Sequence, residues 1–230
     1  MWQLAVRFVS ILLLSKGKEA PPLDTKRSER RPAAAHAAAE LSTLSDAYAR
    51  LARKFEVQEK LLHLFTDLDH PDRVCRGILD AALHAVPTEA SSLLRRDPRS
   101  GRLTFLDATG PVADRVRGVT LPCGEGLAGA SAEDGRAIAV SDVSRDPRHA
   151  REFSESLGFA ARSLLAVPLL NHGEVLGVIE MVNRRGGDVF ARHEIEAVER
   201  VARAAASLLR LMPAPKTPAK KAPRPAGRRR

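Results

Sequence analysis

Leu121-Pro122-Cys123-Gly124-Glu125-Gly126-Leu127-Ala128-Gly129 is the stretch on which the fold turns. It carries the Gly-x-Gly-x-x-Gly spacing of a dinucleotide-binding loop, follows an extended run, and has Asp142 about twenty residues on. The residues downstream reject that reading. Only seven of them separate Gly129 from the next extended run at Ala137, whereas a parallel crossover needs a dozen or more, with a full helix inside it. Glu125 would also set a negative charge beside a pyrophosphate. The stretch reads instead as a strand turning tightly into a short helix, with glycines where a side chain would clash.

Working outward, short extended runs are expected near residues 90–95, 102–108, 118–122, 137–143, 163–170 and 174–183. The last two are joined by Asn171-His172-Gly173, a tight-turn signal that predicts an antiparallel hairpin. Leu164 to Leu170 is apolar on both faces, the mark of a strand covered on both sides, and Pro168 within it demands a bulge or an unpaired amide. Asp69-His70-Pro71 begins a helix whose Val74, Ile78, Ala82 and Val86 keep helical spacing until Pro87. Asp146-Pro147 is read as capping a further helix that stops at Gly158.

Two stripes flank these runs. Leu41, Leu44, Tyr48, Leu51, Phe55, Gln58, Leu62 and Phe65 follow one another in alternating steps of three and four, the seam of a coiled coil, with Gln58 as its polar register-setting position. Ile195, Val198, Ala202, Ala205, Leu209 and Met212 repeat the spacing, with Glu196/Arg200 and Glu199/Arg203 as exposed pairs. Either stripe alone can serve its own domain; the two together favour a homodimer.

The order of motifs resembles a GAF domain over about residues 56 to 212. The residues that carry the resemblance are the Gly-rich turn above, Gly135-Arg136-Ala137-Ile138 with Ser141-Asp142-Val143, and Arg162-Ser163-Leu164-Leu165-Ala166-Val167-Pro168-Leu169. Gly173-Glu174-Val175-Leu176-Gly177-Val178-Ile179-Glu180-Met181-Val182-Asn183 and Phe190 ahead of the last helix complete it. The resemblance implies an α+β fold: an antiparallel six-stranded sheet with helices on both faces, preceded by a long coiled-coil-like helix. It implies a small-molecule pocket on the sheet face away from the terminal helices, and a sensory role. The expected pocket residues are Asp142, Phe159, Arg162, Ser163 and Glu180. Glu180 is the most informative, since a carboxylate sharing a strand face with Leu176 and Val178 needs a partner or a ligand.

Family roles transfer unevenly. Cyclic-nucleotide-binding members carry Asn-Lys followed by Phe-x-x-x-Asp-Glu; here Asn183-Arg184 precedes Phe190 and Glu194-Ile195, so an Arg184–Glu194 pair survives while the final acid is missing. Members that reduce free methionine sulfoxide hold cysteines in the Gly-rich turn, which here reads Gly-Glu-Gly-Leu-Ala-Gly. Bilin attachment and haem ligation find no support, and no metal or cofactor is expected.

Charge is concentrated at the ends. The chain of 230 residues carries a net +9, but residues 213–230 hold seven Lys/Arg and no acid, and residues 1–31 add +4, which leaves −2 for residues 32–212. A folded domain that is not basic argues against a nucleic-acid-binding surface on it. The tail, with five prolines in eighteen residues, reads as disordered, either a solubilising extension or an arm for nucleic acid or an acidic surface. Trp2 to Leu14 is broken by Arg7 and falls short of the ~20 residues of a membrane span; no signal cleavage site follows it. Cys75 and Cys123 suggest no disulfide framework, and a cytoplasmic location is expected. The expected organisation is an apolar segment and linker at 1–39, a coiled-coil-like helix at 40–68, the domain at 69–212 and the basic tail at 213–230. No nucleophile, base pair or metal set marks an enzyme, so the expected function is non-catalytic signalling through a separate partner protein, the alternative being an adaptor that grips an acidic partner with its tail.

Overall fold

The computed structural model describes residues 27–212 and 220–221. The apolar amino-terminal run and most of the tail lie outside the described residues. The chain divides within its first helix, α1 (Arg27–Leu64), into one unit ending at Tyr48 and a second beginning at Ala49. The helix takes in the alanine-rich run 33–39, in which six of seven residues are the strongest helix former. In the first unit Leu41, Leu44 and Tyr48 are exposed, and His36 pairs with Glu40 one turn on at 3.2 Å.

The second unit is built on one sheet. Its strands are β1 (Thr88–Arg96), β2 (Leu103–Thr109), β3 (Val119–Leu121), β4 (Ile138–Val140), β5 (Leu164–Asn171) and β6 (Glu174–Arg184). They pair antiparallel in the order β4-β5-β6-β1-β2-β3. His172 (φ 49°) and Gly173 (φ 82°) make the hairpin turn between β5 and β6, and the register shifts between Pro168 and Leu170, the bulge that a missing amide requires. The tail supplies one further feature. Lys220–Lys221 forms a two-residue strand, β7, parallel to β3 at Val119 and Thr120. An edge strand offers unpaired amides and carbonyls to any extended chain that reaches it, so this dipeptide departs from a wholly unstructured tail.

Strand alternation divides the core into two layers. On one face Leu93, Leu165, Val167, Leu169, Ile179 and Met181 pack under α2 (Pro71–Ala85) and α6 (Arg192–Leu211). Helix α2 starts behind His70 with Pro71 in its first turn and ends before Pro87. The stripe Val198, Ala202, Ala205, Leu209 and Met212 is buried in this layer, with Ile195 partly buried against it. That corrects the expectation that it serves as a second dimer seam: the apolar sheet face has to be covered, and the chain's own helix covers it. Glu196 reaches back to Arg192 at 3.0 Å instead of forward to Arg200. Helix α1 contributes Val57, Leu61 and Leu64 to the same layer, while Leu51, Phe55 and Leu62 stay 64, 69 and 68% exposed.

On the other face the chain lays three short helices: α3 (Ala113–Val116), α4 (Gly126–Asp134) and α5 (Arg151–Leu157). The Gly-rich stretch behaves as the spacing demands, with β3 ending at Leu121 and α4 starting five residues later. Gly124 and Gly126 have φ of 72° and 73°, and a Cβ on Gly129 would overlap the backbone of Gly124. Each glycine is therefore required by conformation or by contact, and none by a phosphate. Helix α5 ends at Gly158 in the left-handed conformation as expected, but it begins at Arg151, not at Asp146-Pro147. Asp146 is occupied in a local turn, accepting from the Arg148 amide at 2.9 Å and from its guanidinium at 2.7 Å.

Candidate ligand cavity

Between the second sheet face and helices α3, α4 and α5 lies a cavity of about 100 Å³. A single water needs about 10–15 Å³ on the same measure, and a 150 Å³ hollow admits benzene, so this one is of single-ring size. Three of the chain's seven phenylalanines line it, Phe105, Phe153 and Phe159. Phe105 and Phe153 stack with ring centroids 5.9 Å apart and planes 23° from parallel, so a chain poor in aromatics concentrates them here.

Glu180 is the polar feature of the wall. On β6 it stands beside Ser92 of β1 and Ala166 of β5. The Ser92 hydroxyl donates to Glu180 Oε2 at 2.9 Å; among the described residues no cation pairs with the carboxyl. Burial pushes its pKa above the ordinary glutamate value, and the Ser92 hydrogen bond opposes that only in part. His149 also lines the cavity, and burial, reinforced by the neighbouring Arg151, lowers its pKa, with Asp146 pulling the other way. The roof is tied shut from one side. Arg115 of α3 donates to the carbonyl oxygens of Leu157 and Ser156 at 2.5 and 2.8 Å, joining α3 to the carboxy-terminal end of α5 where cations are favoured.

Of the five expected pocket residues, the structure places Phe159 and Glu180 in the wall and the other three outside it. Asp142 is exposed and caps the 3-10 turn at 143–145, accepting from the Ser144 amide at 3.1 Å and hydroxyl at 2.6 Å. Arg162 is exposed and pairs with Glu89 at 3.0 Å and Asp188 at 3.6 Å. Ser163 is fully buried, but its hydroxyl accepts from the Arg184 amide at 3.1 Å. Arg162 and Ser163 belong to a cluster centred on Asn183, which has φ 57° and no exposed surface. The Asn183 side chain accepts from the Arg162 amide at 2.7 Å and donates to Glu89 at 2.8 Å and to the Ala160 carbonyl at 2.9 Å. Those bonds compensate a left-handed backbone that asparagine tolerates better than most residues. The hydrogen bonds from Arg162 and Asn183 hold Glu89 below the ordinary carboxylate range.

The surviving motif pair is formed. Arg184 Nε and Nη2 reach Glu194 at 2.8 and 2.9 Å, and Glu194 also accepts from the Ala191 amide at 2.8 Å. Burial works against the Glu194 charge, but Arg184 and that amide outweigh it and leave its pKa lowered. The pair locks the end of β6 to the start of α6 and does not line the cavity. Cys75 is buried in α2, its thiol pushed up to about 12 by burial with Asp107 and Asp72 adding to it; such a thiol is unreactive. Cys123 is exposed, and its sulfur lies 3.4 Å from Glu133. Among the described residues no three His, Cys, Asp or Glu side chains gather as a metal set, and no helix is long and apolar enough to cross a membrane.

Residues 70–209 match the GAF domain family. A probable 3',5'-cyclic phosphodiesterase, pde-5, of Caenorhabditis elegans is 24% identical over 167 residues, 67% of this chain and 23% of that protein. The chain spans about a quarter or less of the curated relatives it matches. Among solved structures, the GAF domain from a phosphoenolpyruvate-protein phosphotransferase of Coxiella burnetii superposes with a TM-score of 0.57 at 21% identity, covering 68% of this chain and 94% of that one. The free methionine-R-sulfoxide reductase of Neisseria meningitidis superposes at 0.53 with 19% identity, covering 67% and 89%. Sheet order, the helix pair on one face, the roofed hollow on the other and the family match over most of the folded region agree: this chain belongs to the GAF domain family.

Proposed function

We propose that this protein is a non-catalytic sensory module that binds a small molecule in the roofed cavity and reports occupancy through its terminal helices to a separate signalling protein. The observation that carries the proposal is a roofed, partly open hollow with a mostly apolar wall in which the Glu180 carboxyl has no cation partner among the described residues, a composition suited to holding a ligand in one orientation. The cysteines do not supply the alternative of sulfoxide reduction. Cys75 is buried in the opposite layer with its thiol held protonated, and neither cysteine lines the cavity.

The same reading has the protein act as a homodimer through α1. Leu51, Phe55 and Leu62 are large, exposed and spaced as a seam, and a second copy presenting the same stripe satisfies it in register with Gln58. A ligand shifts such an arrangement only by the difference in its affinity for the two helix states. Native mass spectrometry of the full chain tests both parts: the expected result is a dimer mass with a retained small molecule. A monomer with an empty cavity, or turnover of any substrate by the purified chain, would overturn the proposal.

A second reading rests on the tail, whose seven basic residues and lack of acids suit an acidic partner. Binding of that kind weakens steeply with salt, whereas cavity binding does not.

A further inference from the structure

The cavity wall combines three properties that together narrow its occupant. The first is size: about 100 Å³, against the 150 Å³ that admits benzene, leaves room for one small ring at most. A nucleotide, with base, sugar and phosphate, would keep much of its bulk outside that volume. The second is charge. The residues lining the cavity include Glu180, Glu125 and His149, but neither lysine nor arginine. Two cations of the roof helices are committed elsewhere: Arg115 of α3 donates to the Ser156 and Leu157 carbonyls, and Arg151 of α5 donates to the Ser144 carbonyl. Arg162 is committed to Glu89 and Asp188 outside the wall. A phosphate or carboxylate would meet two acids there and no lysine or arginine side chain to compensate its lost hydration.

The third property is the unmet demand of Glu180. One carboxylate oxygen accepts from Ser92; the half-buried residue lines the hollow together with Val182, Leu164 and Phe159. A half-buried carboxyl has lost part of its hydration and gains from donors that replace it; the Ser92 hydroxyl supplies one. The aromatic walls suit a flat body, and a cationic or N–H-rich edge completes Glu180.

We infer that the cavity takes a phosphate-free, single-ring aromatic or heteroaromatic ligand that presents an amidine, amine or amino-heterocycle edge to Glu180. This rests on the sensory reading of the same cavity and specifies its ligand class. Glu180 is the specificity-determining residue, and Ser92 positions it. The cation brings Glu180 into its ionised form, so binding strengthens as pH rises through the Glu180 titration. The other titratable groups lining the cavity, Glu125 and His149, stay in place when Glu180 alone is changed.

The test is a 1H–15N NMR titration of the full chain with three probes: benzamidine, benzoate of nearly the same shape but opposite charge, and cyclic GMP. Benzamidine is expected to shift the amides of Ser92, Phe159 and Glu180, with benzoate at least tenfold weaker and cyclic GMP without effect. Glu180→Gln keeps shape and fold, as its own spectrum will show. It should weaken benzamidine by about tenfold to a hundredfold, the value of hydrogen bonds to a charged group, and abolish the rise with pH. Benzoate or cyclic GMP binding as tightly as benzamidine overturns the inference and leaves the sensory reading standing. A pH dependence that survives in Glu180→Gln assigns it to Glu125 or His149 and also overturns the inference. No shift with any probe does the same, and the mass measurement then decides the sensory reading on its own.

Discussion

Gly129 sits inside α4 with its α-carbon against the backbone of Gly124, so the loop that enters the helix folds back on the helix it starts. A methyl group there has no flexible side chain to displace; backbone must move. Gly129→Ala should therefore cost about 1–3 kcal/mol, the usual penalty for overpacking, read as a lower urea midpoint at unchanged slope. An unchanged midpoint would mean that the close approach of loop and helix is not required. At this scale the sequence was readable where a residue acts on its own neighbours. Asn171-His172-Gly173, Pro168 and Gly158 each specify a local conformation, and each conformation is present. Asp142 and Asp146 show the limit. A short acid near an amide reads equally well as helix cap, turn or ligand contact, and only the fold decides among them.

Helix α1 shows how one element can carry two messages. Its alternating stripe through Leu51, Phe55 and Leu62 is conspicuous in the sequence, and it masked a second stripe, Val57, Leu61 and Leu64, that packs on α2 within the same unit. Leu64 lies so close to Gly77 that a side chain on Gly77 would meet it. The two stripes make opposite predictions. Leu61→Ala should lower stability by about 2–5 kcal/mol, as for other buried leucines, without altering the subunit count of the folded protein. Phe55→Ser, at an exposed position, should change monomer stability by under about 0.5 kcal/mol and halve the mass seen by light scattering. A dimer that survives Phe55→Ser combined with Leu51→Ser would show that the exposed stripe is not the seam. Helix α6 carries the complementary lesson: its stripe has the same spacing and is consumed by the sheet, so spacing alone does not tell an interface from a core.

Across the whole molecule, ionisation acts in opposing directions. Glu194, Glu89, Asp97 and Asp146 have lowered pKa values, so each adds stability that is complete above its ordinary value and is lost as pH falls through its lowered one. Glu180 is raised from an ordinary 4.5. The folded state then holds the Glu180 proton more tightly than the unfolded chain does, so stability falls as pH rises from the ordinary value through the raised one, and is level beyond it. In urea unfolding across pH, Glu180→Gln should gain on the parent protein over that window and stay ahead above it, while both lose stability together in acid. A constant difference at every pH would contradict the upward shift of this carboxyl. This acid shows why the site was only half legible. Its place on a cavity-facing strand follows from alternation, but its hydrogen-bond partner Ser92 lies 88 residues away and is brought beside it by sheet register alone. The roof tie between Arg115 and Leu157 likewise spans 42 residues with no local signature.

Strand β6 turns Glu180 toward the hollow and sets its immediate neighbours, Ile179 and Met181, in the layer that seats α2, α6 and the inner stripe of α1. The wall of the hollow and the floor on which the helices stand are thus opposite sides of one pleated ribbon, a single peptide apart. On the proposed sensory reading, an occupant that displaced this ribbon would displace the seat of the helices with it, with no hinge between the two.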